Sequence, residues 1–243
     1  AGYTADKSEI PAVSGVQAKD RDRVETVTYR KDAQKAIIRY VSTNGNRVIT
    51  TDEVTGKSGE AIAYSTTSQI TEFKKQGYNL VSDEFTAGGA KVYDYDTARD
   101  QVYTVTLSER VEPVNPDNPS PQPNTPVNPG QPDSPRWPAS VHDLDNKESV
   151  SRTIHYVYED GSKAKDDVVE TLNFKRWSRI NLVTGQIFFQ DWTTNDDTFD
   201  KVVSPTIAGY TADKSEIPAV SGVKAKDQDR VETVTYRKDA QKA

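Results

Sequence analysis

Residues 177–192, WSRINLVTGQIFFQDW, hold two of the three tryptophans and two of the six phenylalanines of the chain, interleaved with amide and guanidinium side chains. If Thr184 and Gly185 make a two-residue hairpin turn, facing positions sum to 369 and Trp177 stands opposite Trp192. Strand alternation then places Phe174, Ile180, Leu182, Ile187 and Phe189 on one face, which reads as core. The other face carries Trp177, Arg179, Asn181, Phe188, Gln190 and Trp192. Aromatic rings among hydrogen-bonding groups are the composition of a carbohydrate platform, because sugar rings stack on π faces while amides and guanidinium groups meet hydroxyls. The competing reading is a cross-strand aromatic pair that stabilises the sheet by ~0.2–1 kcal/mol.

Other constellations offer less. Asp94, Asp96 and Asp100 share one loop with spacing like that of a calcium loop, but the glycine and bidentate glutamate of an EF-hand are missing, so a solvated turn is the better reading. Asn195, Asp196 and Asp197 are accounted for by capping. The two histidines, His142 and His155, have no serine in a Gly-x-Ser-x-Gly context to pair with, and the carboxylates are scattered. The residues point to binding rather than catalysis, and nothing in them calls for a cofactor.

Composition narrows the partners. A net charge of -6, with 31 Lys and Arg interleaved among 37 Asp and Glu, leaves no basic stripe for nucleic acid. With no cysteine there is neither a disulfide framework nor a thiolate metal site. No run approaches the ~18 apolar residues of a membrane span, so no membrane insertion is expected within the sequence.

The elements that must hold these residues are arranged by repetition. Residues 1–36 recur at 208–243 with two differences, Gln17 against Lys224 and Arg21 against Gln228. So long and faithful a period predicts whole domains joined in a tandem array, with ends that are not domain ends. Ten of the thirteen prolines fall in residues 113–138. They predict a polyproline spacer that could span roughly 80 Å at ~3.1 Å per residue.

On either side lie two diverged copies of one pattern. KAIIRYVSTNGNRVI turns around Asn44 and Gly45, and SRTIHYVYEDGSKAK around Asp160 and Gly161. Ile38, Tyr40, Val41 and Gly45 match Ile154, Tyr156, Val157 and Gly161. Val54, Thr55 and Gly56 match Val183, Thr184 and Gly185 at an offset thirteen residues larger, which predicts a lengthened hairpin in the second copy. Gly77 and Tyr78 match Gly209 and Tyr210, and DQVYTVTL matches DRVETVTY.

A helix is expected over residues 67–76, with Thr66 and Gln69 as a capping box, Ile70 and Phe73 buried, and Gly77 as its stop. A shorter one is expected from Asp197 through Phe199, Val202 and Val203 to Pro205. Strand, strand, helix, strand, strand makes a small α+β sheet packed on one helix, the β-grasp arrangement. The expected organisation is therefore as follows. Residues 1–32 close a second-type module whose first hairpin is missing. Residues 33–112 form one β-grasp module, 113–147 the Pro-rich linker and 148–238 a second β-grasp module. Residues 239–243 begin the next repeat.

The phrases SPTIAGYTADKSEIPAVSG, TIHYVYEDGS and VETVTY, together with the paired modules and long period, resemble mucus-binding repeats of lactic-acid bacterial adhesins over essentially the whole chain. That resemblance implies ubiquitin-like β-grasp modules of a cell-wall-anchored extracellular adhesin that binds mucin glycoproteins. Similar β-grasp modules, such as those of protein L, bind immunoglobulin light chains, so antibody is a second partner to consider, as is a purely structural stalk. The family brings no catalytic motif.

Overall fold

A computed structural model describes residues 1–240; the last three residues of the expected next-repeat start, 241–243, lie outside the described residues. The chain divides into two compact units, one of residues 1–110, 126–136 and 182–184, the other of 111–125, 137–181 and 185–243.

The first unit opens with β1 (Tyr3–Ala5) antiparallel to β2 (Tyr29–Lys31). Then come β3 (Ala33–Ser42), β4 (Arg47–Lys57), α1 (Thr67–Lys75), β5 (Tyr78–Asp83) and β6 (Gln101–Glu109). The last four strands form a sheet in the order β4-β3-β6-β5, with β3 and β6 parallel and both outer pairs antiparallel. Ala36, Ile38 and Tyr40 alternate inward along β3 and are fully buried, as are Val105 and Leu107 of β6. α1 covers them with Ile70 and Phe73; the Phe73 ring lies 5.4 Å from that of Tyr40 and edge-on, 5.7 Å away, to that of Tyr78. The expected capping box does not form. Thr66 is itself helical, and its hydroxyl donates to the Asp83 carboxylate at 2.6 Å instead of capping the helix. Gly77 ends the helix at φ 95°, where a side chain is strained.

In the second unit β7 (Val111–Val114) is followed by β8 (Lys147–Tyr158), β9 (Lys163–Lys175), β10 (Ser178–Asn181), β11 (Ile187–Phe189), β12 (Val202–Val203), β13 (Tyr210–Ala212), β14 (Glu216–Ile217) and β15 (Arg230–Lys238). The main sheet runs β13-β15-β8-β9 with β15 parallel to β8, the same pairing pattern as in the first unit. A second sheet runs β11-β10-β7. The equivalence of the two diverged copies holds for Ile38 with Ile154 and for Val105 with Val234, all fully buried.

Three expectations fail here. The short helix after Asp197 is absent: Val202 and Val203 form β12 and pair with Ile217 and Glu216, while Phe199 bridges Val220 and is buried. Two adjacent β-branched residues favour the pleat once a partner strand exists. The matched Val-Thr-Gly motifs are not equivalent either, since Gly56 lies within β4 opposite Gln34 while Gly185 lies in the loop between β10 and β11. The extra residues thus form the separate hairpin β10–β11 rather than a longer copy of β3–β4.

The Pro-rich segment is not an extended rod. Its prolines sit second in four hydrogen-bonded turns, Asn115-Pro116-Asp117-Asn118, Gln122-Pro123-Asn124-Thr125, Asn128-Pro129-Gly130-Gln131 and Gln131-Pro132-Asp133-Ser134. In each, the fourth N–H reaches the first carbonyl at 3.1–3.2 Å. Proline's fixed φ suits that position of a turn as well as it suits polyproline II. The segment also contributes β7 and a 3-10 turn, Ala139–Asp143, whose Val141 is buried with Val114 and Ile180.

Candidate functional site

The sheet β11-β10-β7 positions the aromatic residues. Ser178 faces Phe189, Arg179 faces Phe188 and Ile180 faces Ile187, so facing positions sum to 367 rather than 369. The connecting loop is four residues, 182–185, closed by the Gly185 N–H donating to the Asn181 carbonyl at 2.8 Å, with Gly185 at φ 74°. A shift of two keeps each side chain on its expected face but changes its partner. Trp177 stands opposite Gln190, whose N–H reaches the Trp177 carbonyl at 2.9 Å.

Trp192 does not join Trp177. Past Gln190 the ladder resumes with Lys175 facing Thr193, their N–H and carbonyl groups exchanging bonds of 2.9 and 2.8 Å. Those positions sum to 368, so Asp191 and Trp192 together oppose Arg176. This is a β-bulge, and the extra residue turns Trp192 to the opposite face. There the Arg176 guanidinium is held between two rings, 3.9 Å from the centroid of Phe189 and 4.3 Å from that of Trp192. Arg176 also donates to the Asp145 carbonyl at 2.7 Å and pairs with its carboxylate at 3.0 Å. Lys226 lies 5.5 Å from the Trp192 ring and bonds Glu148 and Asp145, contacts that raise its pKa in that order of size. Trp192 packs on the cluster of Val150, Leu172 and Phe174. It is part of the scaffold.

Of the six platform residues expected, the structure brings four to one open face: Trp177, Arg179, Phe188 and Gln190, all exposed. Trp177 is 43% and Phe188 46% exposed. Asn181 is buried, and Phe189, expected in the core, is exposed beside Arg176. Pro113, facing Arg179, and Val111, facing Asn181, extend the apolar part of the surface from β7. Pro113 was missed because residues 113–147 were read as linker, and Val111 because it was assigned to the end of the first module; VEPV carries no apolar–polar alternation that would have marked a strand. A groove of about 430 Å³ beside β9 offers hydroxyls and amides from Thr171, Asn173, Thr193, Thr194 and Asn195 but no exposed ring.

The carboxylates considered for a metal have other work. Asp94 accepts the Asp96 N–H, Asp96 accepts the Ala98 N–H, and Asp100 pairs with Lys35 at 2.9 Å. Among the described residues no group of three or more His, Cys, Asp or Glu is placed to hold a metal ion. His155 pairs with Asp167 at 2.9 Å on the partly exposed side of β8.

Each unit holds one four-stranded sheet with a parallel inner pair, and the second adds a three-stranded sheet. Residues 141–240 match the Muc B2-like domain and residues 34–109 the mucin binding domain. The chain belongs to the mucus-binding protein repeats. Among solved structures it is similar to the crystal structure of Mub-RV, with 25% identity and a TM-score of 0.66 over 85% of this chain and 100% of that one. It is similar also to the type 2 repeat of the mucus binding protein MUB from Lactobacillus reuteri, with 28% identity and a TM-score of 0.56 over the same shares. A comparison with curated proteins finds no match. The matched families are binding domains rather than catalysts.

Proposed function

We propose that the chain is a binding repeat of a bacterial surface adhesin, that its ligand is the glycan of mucin glycoproteins, and that the face of Trp177, Arg179, Phe188 and Gln190 receives the sugar. The observation that carries this reading is the pair of exposed rings flanking Arg179 and Gln190 on one rigid sheet face. Large aromatic side chains left open to water mark interaction sites, and rings beside amide and guanidinium donors fit the two-sided chemistry of a saccharide. Each unit is read as a β-grasp module, supported by the parallel inner strands and, in the first unit, by the helix between two strand pairs. Tandem repetition would make binding multivalent, so that weak single contacts add to a tight one. An extracellular, cell-wall-anchored setting accords with the family; no helix among the described residues is long and apolar enough to cross a membrane.

Binding to immobilised mucin before and after glycan removal tests the reading. Trp177→Ala combined with Phe188→Ala should weaken binding about tenfold, the equivalent of ~1.4 kcal/mol, without shifting the melting temperature, and glycan removal should abolish binding. Undiminished binding to stripped mucin, or binding unaffected by the double substitution, would overturn it.

A further inference from the structure

The two long hairpins, β3–β4 and β8–β9, turn at corresponding places on Asn44-Gly45 and Asp160-Gly161. Each pair has the atoms to close a five-membered imide, in which the glycine nitrogen attacks the side-chain carbonyl carbon of the residue before it. Glycine leaves its nitrogen open to this chemistry because no Cβ stands beside it. The two turns nonetheless hold these groups differently.

In β8–β9 both partners of the ring are restrained. The Gly161 N–H is given to the Tyr158 carbonyl at 2.9 Å. Asp160 accepts the Ser162 hydroxyl at 2.5 Å and the Ser162 N–H at 2.8 Å, and these bonds, in that order of size, lower its pKa. An ionised carboxylate has no neutral group to lose, so it resists attack.

In β3–β4 neither restraint is present. Residues 43–46 are exposed, and the Gly45 N–H donates to no group among the described residues. Gly45 stands at φ 69°, with open space where a Cβ would be. Asn44 carries an uncharged amide, whose nitrogen can leave as ammonia. That amide has one tether, a bond donated to the Glu109 carboxylate at 3.2 Å, while the Asn44 N–H reaches the Ser42 hydroxyl at 3.1 Å. Other asparagines lack the opening. Asn115, Asn118 and Asn128 precede proline, which has no N–H, and after Asn195 the Asp196 N–H is bound to the Thr194 hydroxyl at 3.2 Å.

We infer that Asn44 is a site of spontaneous deamidation. The Gly45 nitrogen gives its proton to hydroxide and attacks Cγ of Asn44; the new C–N bond forms as the Cγ–Nδ2 bond breaks, and Nδ2 takes a proton from water and departs as ammonia. One water then opens the ring at either carbonyl, leaving aspartate or isoaspartate. Asparagine and water thus become an acid and ammonia, with no oxidant or reductant. The product sets a carboxylate where a donor had met Glu109, and isoaspartate also adds a methylene to the main chain of the turn. Both changes loosen the end of the hairpin, where Ser42 faces Arg47.

Mass spectrometry of the folded chain, aged in neutral buffer at body temperature, tests this. Trypsin releases residues 40–47 with Asn44 and residues 153–163 with Asp160. Residue 44 should gain about one dalton at a rate within about tenfold of that in the free peptide of residues 40–47, because the exposed turn opens readily. The rate should rise about tenfold from pH 7 to pH 8, since the attacking nitrogen must be deprotonated. Residue 160 should remain aspartate rather than isoaspartate. Slower conversion of residue 44 in the folded chain, or isomerisation at residue 160 as fast as deamidation at 44, would overturn the inference. Amide exchange at Val41 and Val48 should quicken in the aged chain and in Asn44→Asp; unchanged exchange in both would overturn the loosening.

Discussion

Arg152 carries its charge at 1% exposure in the middle of β8, facing inward in line with Val150, Ile154 and Tyr156. It bonds Glu170 through Nε at 2.7 Å, donates to the carbonyls of Pro218 and Asp200, and lies 5.1 Å from the Phe199 ring. One side chain thereby ties β8 to β9, to the segment before β12 where a helix was expected, and to the residue that follows β14. Arg152→Ala should cost about 3 kcal/mol, since it strands Glu170 and two carbonyls; urea unfolding measures it. A polar residue at an inward position of an alternating strand was visible in SRTIHYVY, but its partners, Glu170 on the next strand and Phe199, Asp200 and Pro218 much further along the chain, were not.

Gly56 is a second such case: a Cβ there would lie 2.2 Å from the buried Tyr93 ring, so Gly56→Ala should destabilise the first unit by about 1–3 kcal/mol. Asp229 gives a pH dependence. Bonds from the Ser151 N–H, and secondarily its hydroxyl, lower its pKa. A depressed carboxylate stabilises fully above its unfolded value of ~3.9 and loses that contribution as pH falls through the folded value. The melting temperature should therefore drop from pH 5 to pH 3, and less steeply in Asp229→Asn.

Elements follow their local signals where those signals are not contested. Inward alternation in both long hairpins, and the apolar pair Ile70 and Phe73 ahead of Gly77, were enough to read the sheets and the helix. Where two structures share one signal, the tertiary partner decided. Proline every third residue fits both polyproline II and successive turns, and the Asn, Asp and Ser residues flanking the prolines favour the turns. The spacing of Phe199, Val202 and Val203 fits a helix, yet β14 offers a strand partner.

The open aromatic face of Trp177, Arg179, Phe188 and Gln190 was legible as a composition, and its alternation survived the register error because the error was even. Trp192 was not legible, because period-two counting has no place for a bulged residue. The hairpin loop itself can be tested: Gly185 sits at φ 74° with the Ser140 hydroxyl 3.0 Å from where a Cβ would be. Gly185→Ala should cost about 1 kcal/mol and loosen β10–β11, seen as faster amide exchange there than in β8.

At the scale of the molecule, duplication of sequence does not duplicate stability. Residues 7–28 carry no regular strand and expose nearly all their side chains, whereas the same residues at 214–235 are largely tied into the second unit. Trypsin should cut after Lys19, Arg21 and Arg23 well before it cuts after Lys226 and Arg230, because cleavage follows local opening. Mass spectrometry of an early digest separates the two copies by their two differing residues. Equal rates would mean that the copies share one environment.

The bulge at Asp191 bears on how such repeats tolerate change in length. Removing Asp191 alone would leave Trp192 opposite Arg176 and Thr193 opposite Lys175, now in a continuous ladder. What the extra residue supplies is bend and added twist, so its loss should straighten the sheet while leaving each ring opposite the same residue. Relatives one residue shorter at this place would then differ in curvature and in the angle at which they present Trp177, but not in which groups they present.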